Sequence, residues 1–188
     1  MIDGCGVDFA VPKNLLIQRS RTFAKRNSEG SIDEPFKLRG MWEEGVPRYL
    51  QLLYSGQIVL FSEEENATTE QKWEAILDLH DLAQKFEDGV SENLITDEII
   101  RMLHQGLWCQ GALDTFYGAR DSAFTILSDF VVEKLEAGDI PPDLYQSDAG
   151  VHRLQEAVAE LSTRKRRGEQ RPRQNTKEGM KRYHKSLE

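Results

Sequence analysis

The chain has 188 residues, of which 39% are hydrophobic, 9% aromatic and 30% charged, and its net charge is −8. This allows one packed domain, or a domain with an appendage, and no apolar run approaches the ~20 residues that cross a bilayer. The opening MIDGCGVDFAV lacks the basic region and long apolar segment of a secretory signal, and Cys5 and Cys109 lack CxxC spacing; a reduced, intracellular protein of the cytoplasm, the nucleus or both is expected.

Asn14 to Phe23 reads as one helix entered after Pro12, with Leu15, Leu16 and Phe23 as its apolar contacts. Glu29-Gly30-Ser31 is a loop, and Phe36 and Leu38 about Lys37 suit a short strand. Val46, Tyr49, Leu50 and Leu53 fall at the i, i+3, i+4, i+7 spacing of a core-facing helix. Pro47 fits the first turn of that helix and Gly56 its end. Ile58 to Phe61 is too brief for a helix and reads as a strand or an extended connector, and Glu63 to Thr68 as a solvated acidic loop. From Thr69 a strongly apolar helix follows, with Trp73, Ile76, Leu77, His80 and Ala83 on one face and Leu79, Leu82 and Phe86 extending it. Asp88-Gly89 ends it, and Ser91 reads as the cap of a helix with Leu94, Ile95, Ile99, Met102 and Leu103 inward.

After Gly106, LWCQGALDTFYG is loop-like. Phe124, Leu127, Val131 and Leu135, widened by Ile126 and Phe130, then mark a helix up to Gly138. Pro141-Pro142 breaks the chain, and Ser147 fits as the cap of a last helix with Val151, Leu154, Val158 and Leu161 inward. The basic run Arg164, Lys165, Arg166, Arg167 suits the negative end of that helix. Beyond Gly168 apolar residues nearly vanish, the composition of a disordered segment. Residues 163–188 carry ten Lys/Arg against three Asp/Glu, so 14 basic and 29 acidic residues remain upstream: an acidic body of −15 bears a basic tail of +7. Such a tail either binds an external polyanion or lies on the body.

The order of these segments resembles the BTB/POZ domain, a protein-interaction module. The matching residues are Phe9, Val11, Pro12, Lys13, Leu15, Leu16, Arg19, Ser20 and Phe23, then Leu53, Tyr54, Ser55 and Gly56, then Trp73 to Ile99. The resemblance implies an α+β, mostly helical fold: a BTB/POZ-like domain with a small sheet over 1–105, a helical extension of the fungal type over 106–162, and a basic tail over 163–188. Pro12 stands where the family usually has His, and only Ile2 to Phe9 precede the first helix, so the family's first strand is largely missing. That strand helps members to dimerise; a monomer or a weak homodimer is therefore expected. Members that bind a cullin scaffold carry a Glu where this chain has Arg48, next to Pro47 and the apolar Val46. A cation there disfavours the cullin, because its partner surface is built for negative charge. Leu15, Leu16, Val46 and Arg48 are the candidate interaction surface.

No catalytic constellation is legible. His80 on an apolar face reads as a core histidine whose polar atoms find partners. His104 and Cys109 lack the orienting third group and oxyanion site of a nucleophilic pair. The four histidines and two cysteines show no zinc-ligand spacing. Gly4-Cys5-Gly6 lacks the preceding strand and following Lys-Ser/Thr of a phosphate loop. No catalytic residue, cofactor or metal is expected, and the expected partners are other proteins. Arg164 to Arg167 also has the composition of a nuclear-import or phosphate-contact run, which leaves nucleic acid as a second class of partner.

Overall fold

The computed structural model describes residues 2–4, 7–9, 11–31, 36–38, 45–61, 66–107, 122–140, 142, 148–167 and 184. Seven helices occur among them: α1 Lys13–Arg19, α2 Arg21–Ser28, α3 Gly45–Ser55, α4 Thr69–Lys85, α5 Gly89–His104, α6 Ser122–Ala137 and α7 Asp148–Arg167. The chain divides into two compact units, residues 1–95 with 185–188 and residues 96–184.

The expected α+β class is corrected to all-α. Every described buried apolar residue lies in a helix or at a helix cap. The extended segments are β1 Ile2–Gly4, β2 Val7–Phe9 and β3 Phe36–Leu38, three residues each in the order β2-β1-β3. Strands of this length are at the lower limit of the usual range and do not form a layer that a class is named for. β1 pairs with β2 so that Ile2 faces Phe9, which places a short paired strand where the first strand was expected to be largely missing.

In the first unit the helix expected over Asn14–Phe23 is broken at Ser20, whose backbone is extended at φ −119°, ψ 121°. Its hydroxyl oxygen accepts from Phe23 N at 3.2 Å and its hydroxyl donates to the Phe86 carbonyl. Serine competes in this way with its own helix and favours caps; here it ends α1 and starts α2. The stripe of α3 is buried as its spacing requires: Val46, Tyr49, Leu50 and Leu53 all face the core. At Gly45 α3 lies against α4, where a Cβ would make ordinary contact with Leu82 Cδ1 at 3.4 Å and Asp78 Cβ at 3.6 Å. Gly56 closes α3 at φ +67°, with its N–H donated to Leu52 O. Ile58 to Phe61 forms a connector, not a strand.

α4 starts at a capping box: the Thr68 hydroxyl accepts from Gln71 N at 3.2 Å while Gln71 Oε1 accepts from Thr68 N at 2.8 Å. Its core face holds Trp73, Ile76, Leu79, His80, Leu82 and Ala83, and His80 is a core histidine. Phe86 stands 5.2 Å from the Phe23 ring and 5.1 Å from the Tyr49 ring, a tilted trio that joins α2, α3 and the end of α4. The expected cap Ser91 lies inside α5; the cap is Asp88, whose Oδ1 accepts from Ser91 N at 3.1 Å.

In the second unit, α5 contributes Ile99, Ile100, Met102 and Leu103 to the core and α6 contributes Ile126, Phe130, Val131 and Val132. Gly106 and Gly138 follow α5 and α6 with positive φ. Of the expected inward stripe on α7, Leu154 is buried and Leu161 half-buried, whereas Val151 and Val158 are 39% and 49% exposed; Ala157, outside that stripe, is buried. The buried seam thus runs through Leu154 and Ala157, rotated from the Val151–Val158 line. Residues 63–65 of the expected acidic loop, the loop 108–121, Ser147 and the tail residues 168–183 and 185–188 lie outside the described residues. No described helix is long and apolar enough to cross a membrane.

Candidate functional site

The first unit carries a buried polar hub beneath an open cleft. Asp88 is fully buried, and its carboxylate accepts four hydrogen bonds. Arg19 Nε (3.3 Å) and Ser91 N (3.1 Å) donate to Oδ1; the Tyr49 hydroxyl (3.0 Å) and Ser91 Oγ (2.6 Å) donate to Oδ2. Arg19 Nη2 donates to Ser91 Oγ at 3.0 Å, which fixes the direction of the serine hydroxyl toward Asp88. Four donors match the roughly four lone-pair sites of a carboxylate, so the charge is kept inside without an unmade bond. Burial, and then the Asp88 charge beside it, pushes the Tyr49 phenol far above its ordinary range, so Tyr49 acts as a neutral donor.

Each member is placed by a local event. The break at Ser20 ends α1 at Arg19. The α3 stripe buries Tyr49, and the α4–α5 turn presents Asp88 as a cap. Glu87, the residue before the hub carboxylate, has φ +52°, a left-handed conformation that lets the chain turn between the two helices.

Above the hub the α1–α2 junction and the α4–α5 junction enclose a cleft of about 360 Å³. Arg19, Arg21, Glu87 and Glu92 supply charge of both signs, and Ile17, Ala24 and Val90 supply apolar wall. Arg21 N donates to Glu87 O at 3.4 Å across one edge, and the Thr22 hydroxyl to Lys85 O at 3.3 Å. The two walls are thus tied together at the base.

The residues singled out in the sequence are not gathered here. Leu16 and Val46 are buried in the core of the single chain, which removes them from the candidate surface. Leu15 and Arg48 are half-buried. Arg48 donates from Nε to Leu60 O at 3.0 Å and its guanidinium lies 4.9 Å from the Phe61 ring centre, so it holds the connector after α3. Arg164 to Arg167 continue α7 to its end, where Arg166 and Arg167 are exposed. His104 Nε2 is 3.9 Å from Glu133 Oε2 and its ring meets Phe130 edge-on; Cys109 lies outside the described residues. No group of three or more His, Cys, Asp or Glu able to hold a metal occurs among the described residues.

The hub itself went unread in the sequence. Two signals pointed toward it: an Asp immediately before a helix with Ser three positions on, and a Tyr within an apolar stripe, whose buried hydroxyl requires a partner. No family model, curated protein or solved structure matches the chain.

Proposed function

We propose that this chain is a protein-interaction module, an intracellular adaptor rather than an enzyme, which takes a polypeptide segment of its partner in the cleft over Asp88. The observation that carries the reading is the cleft: an open groove of about 360 Å³ with apolar wall beside charge of both signs. A polypeptide offers the same mixture of apolar side chains, charges and backbone polar groups. Asp88, Tyr49 and Ser91 are committed to one another and to Arg19, so they stiffen the wall to which Arg19 belongs. A pre-organised groove loses less freedom on binding, which favours affinity. The resemblance of Phe9 to Leu103 to BTB/POZ domains supports the same class of function, since members of that family bind proteins. A cullin partner is disfavoured, because Arg48 is a cation, engaged with Leu60 and Phe61, where a carboxylate would be wanted.

The test is site-specific photo-crosslinking in cell extract. A photo-reactive residue at Ala24, on the cleft wall, is expected to join discrete polypeptides, and Arg21→Glu on the rim is expected to reduce that yield. The same label at the exposed Gln51 is the control. Equal yields from Ala24 and Gln51 would overturn the reading.

A nucleus-directed, nucleic-acid-associated role through the basic run is the second reading, favoured by the exposed Arg166 and Arg167 at the end of α7. Steeply salt-dependent binding to a DNA duplex, lost on deletion of 163–188, supports it.

A further inference from the structure

The charges of the cleft are sorted by wall. On the α1–α2 side they are Arg19 and Arg21, both cations; on the α4–α5 side they are Glu87 and Glu92, both anions. All four belong to the first unit. The walls meet where Arg21 N donates to Glu87 O at 3.4 Å, so a cationic rim stands opposite an anionic one, and both residues are exposed there. The Glu87 carboxylate also accepts from the Thr22 hydroxyl at 3.4 Å, on the first turn of α2. The inner charges differ from each other. Arg19 Nε lies 3.3 Å from Asp88, which offsets its charge. Glu92 is 3% exposed, so its charge acts through a lower dielectric and is screened less than a rim charge. Segregation of this kind sets a field across the cleft, and an occupant of a single sign is matched at one wall and opposed at the other.

We infer that the cleft selects a polypeptide segment of mixed charge, with an acidic side chain toward Arg21, a basic side chain toward Glu87 and Glu92, and an apolar residue between them. The inference rests on the cleft as a peptide site and adds the chemistry of the partner to it. A volume of about 360 Å³ is at the small end of the range for binding pockets, so a few side chains fill it and the charge pattern must be short. Exposed ion pairs are individually weak: each matched rim charge changes affinity by about two- to five-fold, and by less as salt rises. Charge therefore sets which segment is preferred, while the apolar wall is indifferent to sign.

The test uses the full chain with the photo-reactive residue at Ala24 and capped peptides alike except at the two positions flanking a central Leu. These positions carry Glu and Lys in either order, two Glu, two Lys, or two Gln. At low salt the better of the two mixed peptides is expected to give about two- to five-fold more crosslinked product than any other, and added salt to narrow the gap. Charge reversal supplies a readout that loss of structure does not mimic. Arg21→Glu is expected to move the preference to the two-Lys peptide, and Glu87→Lys to the two-Glu peptide. Should Arg21→Glu lower the thermal midpoint, Glu87→Lys, at an exposed turn, carries the test. Equal product from all peptides at Ala24, still above that from a label at Gln51, would overturn the charge selection and leave the peptide cleft standing. Yields at Ala24 no higher than at Gln51 for every peptide would overturn both. A wild-type preference for the two-Glu or two-Lys peptide, or a preference unchanged in both variants, would overturn the selection as well.

Discussion

At the scale of single residues, Asp88 organises the first unit. Its four hydrogen bonds draw in side chains from α1, α3 and α5, so a buried charge is made tolerable by complete satisfaction of its oxygens. Tyr49 gives this arrangement a measurable signature. Its phenol is raised from the ordinary 10.0 by burial first and by Asp88 next. The folded chain therefore keeps the proton where the unfolded chain releases it. Stability attributable to Tyr49 is complete below pH 10 and falls as the pH rises past that value, because the unfolded state then binds fewer protons. Tyr49→Phe is expected to lower stability by about 1.5–3 kcal/mol at neutral pH, through the lost bond to a carboxylate, and to flatten the alkaline decline. Urea denaturation from neutral to alkaline pH checks both; an undiminished alkaline slope in the variant would place the late-ionising group elsewhere.

At the scale of elements, periodicity and capping act with different weights. Leu53 closes the buried stripe of α3, and Leu53→Ala is expected to destabilise by about 2–5 kcal/mol as a large-to-small core change. Thr68→Ala removes one half of the α4 capping box and is expected to destabilise by about 1 kcal/mol. Chemical denaturation of the two variants should rank them in that order. The reverse order would mean that α4 nucleation, not α3 packing, limits the stability of the first unit. The same contrast explains the break at Ser20: a short polar side chain with two good hydrogen-bond partners outweighs one further turn of helix.

At the scale of the whole molecule, burial of Leu16 and Val46 changes the expected means of self-association. An interface between copies cannot use side chains that already fill the core of one copy. The large apolar residues exposed among those described are Tyr54, Val59, Val151 and Val158, the first two in one unit and the last two in the other. Scattered residues of this kind fall short of the ~1,200–2,000 Å² that a stable interface buries. Sedimentation equilibrium is expected to give a monomer, or a weak dimer that dissociates on dilution. A dimer that persists at nanomolar protein would overturn this expectation.

The sequence by itself determined where most helices run and which stripes they bury. The spacing of Val46, Tyr49, Leu50 and Leu53 on α3, the apolar girth of α4, and the terminating glycines Gly56 and Gly138 are local signals, each complete within a few turns of chain. Only the tertiary structure decided what joins them. Arg19, Tyr49 and the Asp88–Ser91 cap lie far apart along the chain, and nothing in any one segment says that a cap, a stripe tyrosine and a helix-end arginine meet at one carboxylate. The class was misread for a related reason: Phe36-Lys37-Leu38 has the alternation of a strand, but alternation over three residues does not make a layer. The outward turn of Val151 and Val158 follows the same logic, since a helix of small and large apolar residues offers more than one seam and its neighbour selects between them.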